Sequence, residues 1–332
     1  MKKNAIVSFT QQKKINAEIK LTGSKSESNR ALIISALSNG LVKVDNLSDA
    51  ADTVVLKSIL SQLQNRDNTM QHVDVGHAGT AMRFLTAYLS TLSGQFLLTG
   101  SKRMKERPIK LLVDALSSIG AEISYEGEEG YPPLRISGSL KQSTNRVKIK
   151  GDVSSQYLSA LLMIASSLEN GLSLEIEGNL TSKPYVDMTL AMLQEAGISH
   201  SWEANIISIQ PQKHQESLLT VEPDWSACSY WYSIAALADE ADITLPHLKA
   251  QSLQGDSRIQ EIMQQLGVTT VRRDPGIEIT ATTSALQKGE MLDLKDCPDL
   301  AQTIIVAAAA KGLNMVFTGL ETLKIKETDR VR

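Results

Sequence analysis

The sequence has few cysteines and no long apolar run, and both absences restrict the class of protein. Cys228 and Cys297 are the only cysteines in 332 residues, and each lies at the edge of an apolar stretch. Two such residues are typical of buried free thiols in a reducing cytosol. No run of about 18 apolar residues occurs, so we expect no helix that spans a membrane. The residues after Met1 lack the apolar core of a signal peptide, which predicts a cytoplasmic protein without a membrane partner.

A strong net charge is also missing. The formal net charge is −3 and the isoelectric point is about 6.0, so no nucleic-acid partner is predicted. Any anionic ligand must therefore be held by a local cluster of Lys and Arg side chains. The five histidines do not have the spacing of metal ligands, and neither a glycine-rich phosphate loop nor a dinucleotide-binding fingerprint is present. We predict no metal and no cofactor.

One pattern recurs along the chain, in which a polar and cationic segment leads directly into an apolar helix. In the first copy, residues 23–30 offer hydroxyls, an amide and two cations, and the residues up to Leu37 are almost wholly apolar. Such a helix is expected to be buried on all sides, with Ser or Asn capping its start. Its free N–H groups and its dipole favour an anion at the N-terminus. Four further copies begin at His77, Ser154, Asp224 and Pro298.

Amphipathic helices alternate with these apolar helices and are predicted to begin near residues 52, 107, 183 and 254. The last three are followed by paired short strands at 122–125 with 134–136, 198–202 with 206–209, and 268–271 with 277–279. The repeating unit is an apolar helix, a strand, an amphipathic helix and two strands. The fifth copy stops in the first turn of its second helix, so we expect the C-terminal part of the repeat to be missing.

The helix starts resemble those of the enolpyruvyl transferases, most closely the members that act on shikimate 3-phosphate. The matching segments occur in the same order along the whole chain. They are Gly-Ser-Lys-Ser-x-Ser-Asn-Arg at 23–30, Ala-Gly-Thr-Ala-Met-Arg at 78–83, Arg-Met-Lys-Glu-Arg-Pro at 103–108, Val-Ser-Ser-Gln-Tyr at 153–157, Ser-Lys-Pro-Tyr at 182–185, Gln-Gly-Asp at 254–256, Pro-Asp at 298–299 and Lys-Glu-Thr-Asp-Arg at 326–330. Each motif is weak alone, whereas eight in one order are specific.

The resemblance implies an α/β (α+β) fold with two domains. Members of the family have three βαβαββ units with buried helices in each domain, an arrangement described as an inside-out α/β barrel. The implied domain I is discontinuous and C-terminally incomplete, with residues 1–20 plus 222–332. The implied domain II spans residues 21–221 and has three complete units. We expect a monomer.

The resemblance also implies a reaction of the shikimate pathway to chorismate and the aromatic amino acids. The enolpyruvyl group of phosphoenolpyruvate is transferred to the 5-hydroxyl of shikimate 3-phosphate, and phosphate is released. The enol carbon is a poor electrophile until C3 is protonated, and the attacking hydroxyl must lose its proton, so an acid and a base are needed. By resemblance Asp299 accepts the hydroxyl proton, Glu327 helps proton transfer at C3, and Lys25 is a further proton-transfer candidate.

Both substrates carry a phosphate and a carboxylate, so their sites need cations and neutral donors. The resemblance gives the ligands of shikimate 3-phosphate as Lys25, Ser26, Arg30, Ser154, Ser155, Gln156, Ser182, Asp299 and Lys326. It gives the ligands of phosphoenolpyruvate as Lys25, Gly79, Arg107, Gln156 and Arg330.

Other interpretations stay open at this point. Asp299 is also placed to cap its helix. An inactive or binding-only fragment on the same scaffold is one alternative function. A UDP-sugar enolpyruvyl transferase is another, although the loop at 101–106 lacks the cysteine that is common in that enzyme.

Three residues depart from the family pattern. His77 stands where Asn is usual and Phe84 where Pro is usual, and we expect both to affect the phosphoenolpyruvate pocket and its sensitivity to glyphosate, the family's known inhibitor. Thr322 stands where many members have an Asn that contacts the substrate.

Overall fold

The computed structural model describes residues 13–152, 154–249, 251–282, 291–321, 323 and 330. The chain forms two compact units. Unit 1 comprises Met1–Leu21, Pro223–Ser252 and Asp256–Gly319, and unit 2 comprises Thr22–Glu222, Leu253–Gly255 and Leu320–Arg332. The domain limits at 20–21 and 221–222 stay a prediction.

The described residues form nine α-helices and 16 β-strands. The helices are α1 (Lys25–Leu37), α2 (Ala51–Gln64), α3 (Gly79–Thr91), α4 (Lys110–Ser118), α5 (Ser155–Ala165), α6 (Lys183–Glu195), α7 (Trp225–Leu237), α8 (Ile259–Gln265) and α9 (Ala301–Ala310). The strands are β1 (Lys14–Glu18), β2 (Val42–Asp45), β3 (Met70–Asp74), β4 (Gln95–Thr99), β5 (Glu122–Tyr125), β6 (Leu134–Ser137), β7 (Arg146–Lys150), β8 (Leu172–Glu177), β9 (Ser201–Glu203), β10 (Ile206–Ile209), β11 (Ser217–Thr220), β12 (Glu240–Pro246), β13 (Val268–Arg273), β14 (Gly276–Ala281), β15 (Met291–Asp293) and β16 (Val316–Thr318).

Three sheets share one strand order, with two parallel strands beside an antiparallel hairpin. They are β3-β4-β6-β5 and β7-β8-β10-β9 in unit 2, and β1-β12-β14-β13 in unit 1. The three hairpins predicted from the sequence are therefore confirmed. Each unit also has a two-stranded parallel sheet, β11-β2 in unit 2 and β15-β16 in unit 1. The same supersecondary unit thus recurs in both parts of the chain.

Two of the apolar helices of unit 2 are buried on all sides, as predicted. Every residue of α3 from Gly79 to Ser90 is buried, and in α5 only Gln156 is not. α1 is buried along its middle, from Glu27 to Ala31 and at Ile33 and Ile34, and is partly exposed at both ends. Burial of a whole helix needs neighbours around its full circumference, and the sheets and helices of unit 2 supply them.

The same prediction is wrong for the apolar helices of unit 1. Tyr230 and Ile234 of α7 are 58% and 43% exposed, and Val306 of α9 is 63% exposed. The described part of unit 1 has one four-stranded sheet, whereas unit 2 has two. One side of each of these two helices therefore has less protein to cover it.

The amphipathic helices begin close to the predicted residues, with two differences. α4 begins at Lys110, with Ile109 as its N-cap, and Arg107 is extended, with φ −97° and ψ 125°, as is usual for the residue before a proline. Gly255–Arg258 forms a 3-10 turn, and α8 begins only at Ile259. The longest helix among the described residues has 14 residues, and none of these helices has the length and apolarity needed to cross a bilayer.

Candidate active site

Side chains of the first turn fix the start of α1. Ser24 caps the helix, because its Oγ accepts a hydrogen bond from the Glu27 amide at 3.4 Å. The buried Glu27 carboxylate accepts from the Glu222 amide at 2.9 Å, and the Glu222 carbonyl accepts from the Ser24 amide at 2.8 Å. These bonds leave Lys25 and Ser26 half-buried at the N-terminus of α1.

Arg30, one turn further along α1, is buried and donates to four protein groups. Nε donates to Thr189 Oγ1 at 2.7 Å and Nη1 to the Ser26 carbonyl at 2.9 Å. Nη2 donates to Ser159 Oγ at 2.9 Å and to the Tyr185 carbonyl at 3.2 Å. Burial lowers the pKa of Arg30 to about 10, so the guanidinium stays charged at neutral pH. Because a guanidinium has five N–H donors, at most one is left for a substrate.

Two aromatic rings flank the same guanidinium. The Arg30 carbon lies 5.4 Å from the Phe84 ring centre and 5.7 Å from that of Tyr185, within cation–π range. Phe84 is fully buried in α3. Arg30 thus links α1 to α3 and α6, and through Ser159 to α5. Its role in binding shikimate 3-phosphate stays a prediction.

Gly79 and Arg107 are in direct contact at the start of α3. A Cβ atom on Gly79 would lie 2.9 Å from Arg107 Cζ and would overlap Nη1. Only glycine therefore lets the guanidinium lie against this helix N-terminus. Arg107 is 7% exposed. Two predicted phosphoenolpyruvate ligands are thereby brought together where the helix dipole adds to the positive charge.

Two buried side chains donate hydrogen bonds to the backbone next to Gly79 and Arg107. Arg83 Nη1 donates to the Gly79 carbonyl at 3.3 Å, and Nη2 donates to the Pro108 carbonyl at 3.0 Å. Tyr157 Oη donates to the same Pro108 carbonyl at 2.7 Å. Arg83 and Tyr157 received no role from the sequence. Each is the last residue of a matched motif, at 78–83 and 153–157, and this position was the available signal.

A second set of bonds joins the start of α3 to the turn that precedes Arg107. His77 Nδ1 lies 3.0 Å from Ser101 Oγ. Ser101 Oγ also accepts from the Met104 amide at 3.3 Å, at the start of the 3-10 turn Met104–Glu106. His77 therefore contacts the loop that carries Arg107.

The start of α5 lies beside the start of α3. Ser154 caps α5, with Oγ accepting from the Gln156 amide at 3.4 Å, and Ser155 is buried. Gln156 Nε2 donates to Thr80 Oγ1 at 3.2 Å. Thr80 received no role from the sequence, although it follows Gly79 directly. The structure brings together Gln156, Thr80 and the pocket of Gly79.

Ser182 begins α6 in a strained conformation. Its backbone is left-handed, with φ 54° and ψ 40°, and its side chain is buried. A residue other than glycine in this region costs about 1–2 kcal/mol. Strain of this kind is concentrated at functional sites, which supports the predicted role of Ser182.

In unit 1, Asp299 lies half-buried in the 3-10 turn Pro298–Leu300, immediately before α9. The interpretation of Asp299 as a helix cap is wrong, because Leu300 is the N-cap of α9 and no side chain caps it. The turn is held by Thr303, whose Oγ1 donates to the Leu300 carbonyl at 2.8 Å.

Arg258 holds the segment that leads to Asp299. Its Nη1 donates to the Asp293 carbonyl at 2.9 Å and lies 3.9 Å from Cys297 Sγ. Cys297 and Cys228 are both buried and neither forms a disulfide, as predicted. Burial raises the pKa of the Cys297 thiol to about 12, so this thiol stays neutral.

Lys326, Glu327 and Thr322 lie outside the described residues. The amide of Arg330 donates to the Leu323 carbonyl at 3.2 Å. In the described parts of the chain, no three His, Cys, Asp or Glu side chains group closely enough to hold a metal ion. The roles of Lys326, Glu327 and Arg330 stay predictions.

Two solved structures identify the class of fold. EPSP synthase structures from Acinetobacter baumannii match with TM-scores of 0.74 and 0.69 at 22% and 21% sequence identity. The first match covers 95% of this chain and 76% of that one. The fold is therefore the mixed α/β fold of the enolpyruvyl transferases, and the predicted fold class is confirmed.

A family model described as EPSP synthase (3-phosphoshikimate 1-carboxyvinyltransferase) matches residues 9–332, so the chain belongs to this family. The 3-phosphoshikimate 1-carboxyvinyltransferase of Bacteroides fragilis is 47% identical over 318 residues, 96% of this chain and 76% of the relative. That of Shewanella halifaxensis is 35% identical, over 96% of this chain and 79% of the relative. The predicted family membership is confirmed.

Proposed function

We propose that this chain transfers the enolpyruvyl group of phosphoenolpyruvate to the 5-hydroxyl of shikimate 3-phosphate and releases phosphate. The observation that carries the proposal is the family match over residues 9–332. Matches that cover 96% of the chain favour the transferase over a binding-only fragment. The names of the relatives favour shikimate 3-phosphate over a UDP-sugar as the acceptor.

Unit 2 offers the groups that two anionic substrates need. Arg107 against the start of α3 suits the phosphate or carboxylate of phosphoenolpyruvate, because cations and free N–H groups converge there. Gln156 lies beside this pocket through Thr80 and is proposed to touch both substrates. Shikimate 3-phosphate is assigned to the neighbouring helix starts, through Lys25, Ser26, Arg30, Ser154, Ser155 and Ser182, and also to Lys326, which lies outside the described residues.

The reaction needs a proton at C3 of phosphoenolpyruvate and a base at the 5-hydroxyl. Asp299 is proposed to take the hydroxyl proton as the 5-oxygen bonds to C2 and C3 gains a proton. The bond from C2 to the phosphate oxygen then breaks, and C3 loses a proton as the double bond re-forms. Lys25 and Glu327 are proposed for the proton transfers, and Arg330 for binding the phosphoenolpyruvate anion.

A coupled phosphate-release assay on the purified chain tests the proposal. We expect release only when both substrates are present, together with a product that mass spectrometry identifies as the carboxyvinyl ether of shikimate 3-phosphate. A UDP-sugar in place of shikimate 3-phosphate should give no release. Phosphate release with phosphoenolpyruvate and the UDP-sugar, but not with phosphoenolpyruvate and shikimate 3-phosphate, would replace this proposal by the alternative acceptor.

Three further properties belong to the proposal. Glyphosate is proposed as an inhibitor that competes with phosphoenolpyruvate near Arg107, and inhibition at several phosphoenolpyruvate concentrations tests this. The chain is proposed to be a monomer, which light scattering after gel filtration checks. A cytoplasmic location is proposed from the two buried cysteines, which form no disulfide.

A further inference from the structure

Unit 2 contains a cavity of about 590 Å³ at the end opposite to the candidate active site. The C-terminal halves of α1, α2 and α3 bound it. α1 and α3 have 13 residues each, which is about 20 Å at 1.5 Å per residue. The cavity is therefore distinct from the helix starts at Lys25 and Gly79, which lie at the other ends of α1 and α3.

The floor of the cavity is apolar. Residues three or four positions apart on a helix share one face, and α1 presents two such apolar residues to the cavity. Leu32 and Ala36 come from α1, Leu60 from α2, and Leu92 follows the end of α3. These four residues, here called the apolar floor, suit a flat hydrocarbon group.

Tyr88 of α3 places a hydroxyl at the cavity that makes no hydrogen bond to any residue in the described ranges. Its side chain is 8% exposed and lines the cavity. Burial raises the pKa of Tyr88 and the charge of Arg66 opposes the shift, so the hydroxyl is protonated at neutral pH and lies near a guanidinium. Its Oη atom is not itself buried and opens into the cavity. The geometry favours an acceptor atom from outside the protein.

Two cations lie at the same cavity. Arg66 uses two of its donors on the Leu63 carbonyl at 2.9 Å and the Ser93 carbonyl at 3.3 Å, which leaves three of five N–H groups. Lys57 is exposed on α2. No acidic residue is among those that line the cavity. Two cations and a phenolic donor without a carboxylate complement an anion.

The C-terminal ends of the helices at this cavity do not cancel its preference for an anion. A helix C-terminus carries partial negative charge, but several of its carbonyl groups here already accept bonds. The Gly40 amide donates to the Ser35 carbonyl at 2.9 Å, and Thr91 Oγ1 donates to the Tyr88 carbonyl at 2.7 Å. The partial negative charge of these helix ends is therefore partly satisfied by donors of the protein itself.

We propose that this cavity is a second ligand site, which binds a small amphipathic carboxylate. The carboxylate accepts hydrogen bonds from Tyr88 and Arg66 and lies near Lys57, while the ring of the ligand rests on the apolar floor. For a ligand of about a dozen non-hydrogen atoms, a Kd on the order of 0.1 to 1 mM is expected. The proposal does not depend on the assigned transferase activity.

Titration calorimetry with 1-naphthoate tests the proposal, and neutral 1-naphthamide, which has the same ring and nearly the same shape, is the matched probe. We expect 1-naphthoate to bind about tenfold or more tightly than the amide, because only the anion gains charge-assisted bonds. Lys57→Gln and Tyr88→Phe should each weaken 1-naphthoate by about three- to tenfold. Saturating shikimate 3-phosphate should not displace it.

Two further variants separate this cavity from general surface binding. Ser61→Trp, at an exposed position on α2 that lines the cavity, should abolish binding by filling the space. Lys43→Gln, an exposed lysine outside the cavity, should bind 1-naphthoate like the unchanged chain. Equal affinity for the two probes, displacement by shikimate 3-phosphate, or unchanged binding by Ser61→Trp would each overturn the proposal.

Discussion

α3 in unit 2 and α9 in unit 1 have nearly the same kind of sequence and different surroundings. Both are apolar over most of their length, yet Leu85 of α3 is fully buried and Val306 of α9 is 63% exposed. The difference follows from the sheets around them, because unit 2 has two four-stranded sheets and the described part of unit 1 has one. An apolar helix is thus compatible with full burial but does not by itself produce it.

The two units also differ in the functional groups that they supply for the proposed reaction. Unit 2 collects neutral donors and cations at helix starts, as in Arg107 against Gly79 and Gln156 against Thr80. Unit 1 offers Asp299, a carboxylate in a turn held by Thr303. We infer that binding belongs chiefly to unit 2, and that proton removal from the acceptor belongs to unit 1.

The largest expected effect compares the two apolar helices directly. Leu85→Ala in α3 should lower the free energy of unfolding by about 2–5 kcal/mol, because the substitution leaves a cavity in a closed core. Val306→Ala in α9 should change it by less than about 0.5 kcal/mol, since that side chain is mostly exposed. Urea unfolding followed by circular dichroism measures both. Equal losses would mean that the two helices are covered alike.

Asp299→Asn separates the chemical roles of the two units. If Asp299 is the base, turnover should fall by about two decades or more, while shikimate 3-phosphate binding, held chiefly by unit 2, should change little. Steady-state phosphate release and calorimetry give the two numbers. Asp296→Asn, an exposed aspartate three residues earlier, is the control and should keep full turnover. Retained turnover in Asp299→Asn would remove this residue from catalysis.

Gly79→Ala tests the pocket of unit 2. The added Cβ would overlap the Arg107 guanidinium, so we expect KM for phosphoenolpyruvate to rise by about tenfold, equivalent to about 1.4 kcal/mol. The affinity for shikimate 3-phosphate should be unaffected. Gly127→Ala, where no neighbour lies within contact of the new atom, is the matched control. A KM that stays unchanged would show that Arg107 and Gly79 do not shape this pocket.

The smallest expected effect is a pH dependence of unit 2. Burial lowers the pKa of His214 below its ordinary value of 6.5, and Nε2 is buried without a hydrogen-bond partner in the described chain. The unfolded chain therefore binds a proton at His214 more readily than the folded unit does. The contribution of neutral His214 to the free energy of unfolding is fully present above about pH 6.5 and is lost as the pH falls below that value. The urea midpoint should show this loss, and His214→Gln should remove it. His72→Gln, at an exposed position, should leave the loss in place.

The sequence predicted the features that depend on local order. The caps at Ser24 and Ser154 and the hairpin of β5 and β6 follow from short segments. The sequence could not predict which donors of Arg30 are used inside the protein. Thr189 and Tyr185 lie more than 150 positions away along the chain. A start of α4 at Arg107 could have been excluded from a local signal, since Pro108 restricts Arg107.

The exposed side of α7 had no local signal at all. Tyr230 and Ile234 stand in an apolar run like that of α5. Their exposure depends on how many strands surround the helix, which is a property of the whole unit. For the same reason the contact of Gln156 with Thr80 was not predicted, because it joins two repeats.

The parallel pairing of β1 with β12 has a consequence for the order of events during synthesis. Lys14 and Glu240 face each other across that pair and are 226 positions apart. In unit 2 the side chain of Asn46 reaches the Val221 carbonyl, 175 positions away. A ribosome that adds about 5–20 residues per second needs on the order of 10 to 45 s to make the span from Lys14 to Glu240. All of residues 22–222 are therefore synthesised before β12 is available to pair with β1. The inserted unit has time to fold while β1 is still unpaired.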